Sequence, residues 1–132
     1  MSSTSPMRTP FSRIRFLGSA KSGTEHFWMQ RLTGLANIVT AIGLVVIVLT
    51  LRGKSYGDAI AILSHPLASL ILLAGVISAS IHMRIGMQVV IEDYVHSEGF
   101  KVLALLANTF FAFAIGLSGA YAILKIGLAK LV

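Results

Sequence analysis

The stretch IHMRIGMQVVIEDYVHSEG, residues 81–99, places His82, Arg84, Asp93, Tyr94 and His96 directly after an apolar run. Such side chains can ligate a metal, move a proton or hold an oxygen-bearing ligand. Their spacing decides which of them can act together. At about 100° per residue, with His82 at zero, Val89 falls at about −20°, Asp93 at about 20° and Gly86 at about 40°. Ser78 and Gly75 join that face at about −40° and about 20°, while Arg84 lies about 160° away. One face thus presents an imidazole with small neighbours, and the guanidinium belongs to another.

Depth separates the groups further. His82 and Asp93 are about 16 Å apart along a helix axis. With Asp93 at a membrane interface, His82 sits near the midplane, where a histidine needs a partner or a task. One reading is a hydrogen bond to a serine or asparagine on another helix. The other is a ligand to a flat cofactor lying beside the small residues. Haem suits that trough, because imidazole is a good axial ligand and the ring needs room. His26 and His96 lie at one interface and His65 near the other. A second axial histidine would therefore come from another polypeptide, leaving half a haem site in this chain.

Asp93 and Tyr94 also read two ways. They are an interfacial tyrosine beside a solvated acid, or a phenol donating to a quinone carbonyl with the carboxylate orienting it. Glu92, His96 and Glu98 read as solvated loop residues. In EHFWMQRLTGLANI, residues 25–38, Trp28 is an interfacial anchor. Arg31 is either a second anchor or a guanidinium that pairs bidentately with a haem propionate.

The elements that must carry these groups follow from composition. Of 132 residues, 55% are hydrophobic and 12% charged, against about a quarter charged in soluble domains. With a mean hydropathy of +0.83, the chain reads as an all-α membrane protein. Its net charge of +6 suits Lys and Arg gathered at span ends and anionic lipid headgroups, not nucleic acid. The absence of cysteine excludes disulfides and thiolate metal sites.

Leu32–Leu51 is uncharged and long enough to cross the hydrocarbon. It is longer than the roughly 7–15 residues of a signal-peptide core, so it reads as a retained anchor. RGKSYGD, residues 52–58, reads as a polar turn, and His65 with Pro66 opens a second span over about 66–91. EDYVHSEGFK, residues 92–101, is the next connection, and the third span covers about 102–124. Residues 1–25, with Arg8, Arg13, Arg15 and Lys21, read as a basic flexible tail before a three-helix transmembrane anchor domain over 26–132. Counting basic residues at span ends puts the N-terminus in the cytoplasm and the C-terminus in the periplasm.

The third span repeats small or polar residues at Ala104, Asn108, Ala112, Gly116 and Ala120, and the first carries Thr33, Asn37 and Thr40 on one side. In lipid, such stripes let helices approach closely. They favour packing among the spans and against a partner anchor chain.

The stretch HMRIGMQVVIEDYVH, with Gly86 four residues after His82 and Asp93-Tyr94 beyond it, resembles the small hydrophobic cytochrome b membrane anchors of succinate dehydrogenase. HFWMQRLTG at the first span, the three spans, the basic tail and the length agree with that family. The likeness is to alphaproteobacterial members, multi-pass proteins of the bacterial inner membrane. It implies that His82 is one axial ligand of haem b, the other coming from the companion anchor chain, cytochrome b556. It implies that Tyr94 donates to a ubiquinone carbonyl with Asp93 beside it, and that Arg31 stands near the haem propionates. The flavoprotein with FAD and the iron–sulfur protein would be separate chains, so this anchor has no catalysis of its own. Arg84 has no assigned place in the family pattern.

Two other classes make different demands. A small transporter or channel protein would set His82, Arg84 and Asp93 on one water-lined face as a relay. A cofactor-free structural anchor would use His82 only to bond another helix.

Overall fold

The structure is a computed structural model describing residues 22–128. The arginines and the lysine assigned to the basic tail, and Lys130, lie outside the described residues. The described residues form four helices: α1 (Ser22–Leu51), α2 (Tyr56–Leu63), α3 (Pro66–Tyr94) and α4 (Glu98–Leu128). The three long ones are each long and apolar enough to cross a membrane.

Every long helix outlasts its apolar run. Helix α1 begins at Ser22, α3 continues through Glu92, Asp93 and Tyr94, and α4 starts at Glu98. The connection expected over residues 92–101 therefore shrinks to three residues, 95–97. Hydropathy registers the thickness of the hydrocarbon, whereas backbone hydrogen bonding continues into the headgroup layer as long as side chains permit. Gln88 and Glu92, one turn apart, support this extension: Nε2 of Gln88 donates to Oε1 of Glu92 at 2.8 Å.

The polar turn after α1 also holds more structure than composition implies. Gly53 takes φ of 72°, a left-handed value that costs glycine nothing. Ser55 then caps α2: its hydroxyl accepts from the Asp58 backbone N–H at 3.3 Å and donates to the Asp58 carboxylate at 2.8 Å. A serine with an acid three residues later is a helix start signal. As expected, His65 and Pro66 open the second span: His65 Nδ1 accepts from the Leu67 N–H at 3.3 Å and Pro66 takes the first helical position.

Helix α3 is the centre of the assembly. It packs against α1 on one side and α4 on the other, and α1 and α4 do not touch within the described residues. The three spans form a single layer, so among the described residues no large side chain is fully buried. Leu35, Ile42, Phe110 and Phe113 instead face outward, an arrangement that suits lipid, where burial between helices brings no hydrophobic gain. The α4 stripe faces inward as its spacing requires. Ala112 is buried at 4% exposure, and a Cβ on Gly116 would lie 3.2 Å from Ser80 Oγ.

Close approach is tightest at Gly43 and Gly119, where an added Cβ would stand 2.6 Å from Ile71 Cγ2 and 2.8 Å from Val76 Cγ1. Replacing Gly43 by valine should cost about 1–3 kcal/mol through overpacking. Gly57, with open space around its Cβ position, should accept alanine and gain up to about 1 kcal/mol in helix propensity. Thermal unfolding in mild detergent checks the pair. Equal midpoints would deny the close α1–α3 contact.

Candidate functional site

His82 lies on the face of α3 that meets α1, and both ring nitrogens have neighbours there. Nδ1 is 3.1 Å from Thr33 Oγ1, and Nε2 is 3.4 Å from Gln30 Nε2. Gly34 lets the two backbones close around the ring, since a Cβ there would stand 3.4 Å from His82 Cε1. One turn earlier on α3, Ser78 Oγ donates to the Thr33 carbonyl at 3.0 Å. Thr33 and Ser78 are among the most buried polar residues, at 7% and 8% exposure.

The trough expected beside His82 is largely filled. At Gly75, α1 approaches so closely that a Cβ would meet Thr40 Cβ at 3.3 Å, and Ser78 bonds α1 directly. Small residues admit a neighbouring helix as readily as a flat ring, and helical angles on one element cannot distinguish the two. The Gly86 end stays more open. There a cleft of about 530 Å³ is lined by His26, Gln30, Arg31, Ile85, Gly86 and Val89, together with Phe27. Gln30 joins the imidazole to this cleft, for it touches His82 Nε2 and lines the opening. Its Oε1 is buried without a hydrogen-bond partner. The Arg31 guanidinium lies over the Phe27 ring, 4.2 Å from its centroid, a cation–π contact that leaves its N–H edges for an anion.

Asp93 and Tyr94 stand apart from this cleft. Asp93 is one turn beyond Val89 on the same helix and exposed; Tyr94, the last residue of α3, is 77% exposed. Arg84 lies on the other flank of α3, as its angle requires. It lines a groove of about 430 Å³ against α4 with Thr109 and Phe113, and its carbonyl accepts from Asn108 Nδ2 at 2.9 Å. A relay through His82 and Arg84 would have to pass through α3 itself, so the two share no water-lined face. No acid of this chain lies within a span interior either: Glu25, Asp58, Glu92, Asp93 and Glu98 all fall near helix ends.

Among the described residues no cluster of three or more His, Cys, Asp or Glu could hold a metal ion. His82 therefore stands as a single nitrogen donor. The roles of Thr33 and Gln30 escaped sequence reasoning, although the Thr33, Asn37 and Thr40 stripe did point α1 toward a protein neighbour.

The family model for the succinate dehydrogenase/fumarate reductase transmembrane subunit matches residues 5–116. The chain is 30% identical over 109 residues to the "Succinate dehydrogenase hydrophobic membrane anchor subunit" of Rickettsia bellii, covering 83% of this chain and 87% of that one. To the protein of the same name from Paracoccus denitrificans it is 28% identical over 124 residues, covering 94% and 95%. No solved structure matches it. Three apolar spans and bacterial relatives so named make it a multi-pass protein of the bacterial inner membrane. The chain belongs to the succinate dehydrogenase/fumarate reductase transmembrane subunit family.

Proposed function

We propose that the chain is the small hydrophobic membrane anchor of a succinate dehydrogenase, helping to carry electrons from succinate to the quinone pool. The observation that carries the reading beyond membership is the joining of His82 Nε2, through Gln30, to a cleft lined by Arg31 and Gly86. The donor set fits a haem b. His82 would hold the iron through Nε2, Arg31 would pair with a propionate, and the Gln30 amide oxygen is a buried acceptor without a hydrogen-bond partner beside them. The group would supply a one-electron carrier. The second axial ligand would come from the companion anchor, cytochrome b556, because His26, His65 and His96 all sit at helix ends or beyond.

Tyr94 and Asp93, exposed at the end of α3, would meet ubiquinone at the membrane surface. There the phenol can donate to a carbonyl and the aqueous phase can supply protons. The flavoprotein with FAD and the iron–sulfur protein would dock at that same end, on the cytoplasmic side, with the chain's C-terminus in the periplasm. The chain would then be non-catalytic by itself.

The Gln30 contact also favours a second reading. With hydrogen-bonding neighbours at both ring nitrogens, His82 could serve only to join α1 and α3 in a cofactor-free anchor. Gentle purification of the tagged chain from membranes tests the main assignment. Flavoprotein, iron–sulfur protein and a second small anchor are expected with it in equal amounts. A pure homo-oligomer would reject the assignment.

A further inference from the structure

The Thr33 hydroxyl has one proton and three neighbours. The Met29 carbonyl is nearest at 2.7 Å, His82 Nδ1 follows at 3.1 Å and the Gln30 carbonyl at 3.3 Å. The proton goes to Met29, the usual back-bond of a helical threonine. What Thr33 offers His82 is a lone pair, so Nδ1 must carry the ring proton. The opposite nitrogen gives the same answer: the Gln30 amide nitrogen can only donate, so His82 Nε2 must accept. The Thr33 contact thus selects one tautomer, with the ring lone pair at Nε2, and the Gln30 amide as oriented agrees with it.

From this we infer that Thr33 is the positioning residue for the haem ligand, fixing the tautomer and the plane of the His82 ring. The inference rests on the reading of His82 as an axial ligand. Helix α3 holds Thr33 at two points one turn apart, its carbonyl by Ser78 and its hydroxyl by His82. Thr33 is β-branched and so stiff about χ1, and at 7% exposure it is nearly closed to competing solvent. Gln30, by contrast, makes the longest of these contacts at 3.4 Å, and iron held at Nε2 would take its place. An N–H···O bond at the far nitrogen makes the imidazole a stronger donor to iron, which favours the ferric state. Ser78 and Thr33 together thus join helix packing to ligand chemistry.

The test uses the assembled complex carrying Thr33→Val, which keeps the shape and removes the acceptor, beside Thr33→Ser, which restores it. Redox titration of the haem absorption should show a higher midpoint potential in Thr33→Val. The expected rise is up to about 59 mV, a tenfold change for a one-electron couple. Haem retained per flavin after detergent washing should fall roughly tenfold, and Thr33→Ser should match the parent in both. An unchanged potential and haem content in Thr33→Val overturns the inference, as does a serine variant shifted as far as the valine one. If the valine variant does not assemble, alanine takes its place: alanine shifted with serine unshifted upholds the role, and equal behaviour overturns it. His82→Ala in the same titration separates the two claims. Full haem in that variant defeats the ligand reading itself, whereas lost haem there with a silent Thr33→Val defeats only Thr33.

Discussion

His82→Ala is expected to remove the haem b absorption from the assembled complex while flavin and iron–sulfur content stay in proportion. No other histidine of the chain can substitute: His26 is near the start of α1, His65 caps α3, and His96 lies in the short connection before α4. The depth argument reinforces this, since His82 is about 16 Å along the axis from Asp93. The fold itself should survive the change. Thr33 keeps its bond to the Met29 carbonyl, Ser78 keeps its bond to the Thr33 carbonyl, and α3 keeps its packing against α4. The helix pair loses the Nδ1–H bond to the Thr33 hydroxyl, about 0.5–1.5 kcal/mol. Chain yield should therefore fall little while the haem signal disappears. A spectrum unchanged from the parent would leave His82 as a helix-joining residue and give the cofactor-free anchor its support.

Tyr94→Phe should lower succinate-driven quinone reduction roughly a hundredfold, the scale of one positioned proton donor. Succinate oxidation by a water-soluble artificial acceptor should stay at the parent rate, because those electrons leave before the membrane. The substitution suits the purpose structurally. Tyr94 is 77% exposed at the last position of α3, so removing its hydroxyl leaves the described fold intact. Parallel rates for the two acceptors are decisive: equal losses point to a docking defect, and two unchanged rates remove Tyr94 from the quinone site.

Arg31 and the open end of the His82 face illustrate how far residue spacing reaches. The entry segment of the first span suggested Arg31 as a propionate partner, and it does line the cleft that Gln30 joins to the imidazole. The opposition of Arg84 to His82 was also legible, because 100° per residue holds inside any regular helix. Gln30 was not legible as a neighbour of the ring. Its position relative to His82 depends on the α1–α3 register, set by contacts such as Gly43 against Ile71 and Gly75 against Thr40. Helix α2 is illegible for a different reason: its first residues belong to the polar stretch 52–58, which reads as a turn unless the Ser55 and Asp58 cap is counted.

By itself, the sequence determined the solvent, the number of spans, the stripes that pack and the depth of each polar group. Each of these is local: about 20 apolar residues fill a bilayer, and helical geometry assigns every side chain a face and a height. The tertiary structure alone decided that α3 lies between α1 and α4, that α1 fills most of the slot beside His82, and that Thr33 is the group facing Nδ1. Those outcomes depend on register between helices far apart in the chain. In lipid that register is chosen by close steric fit and paired polar groups, because hydrophobic burial does not favour one packing over another.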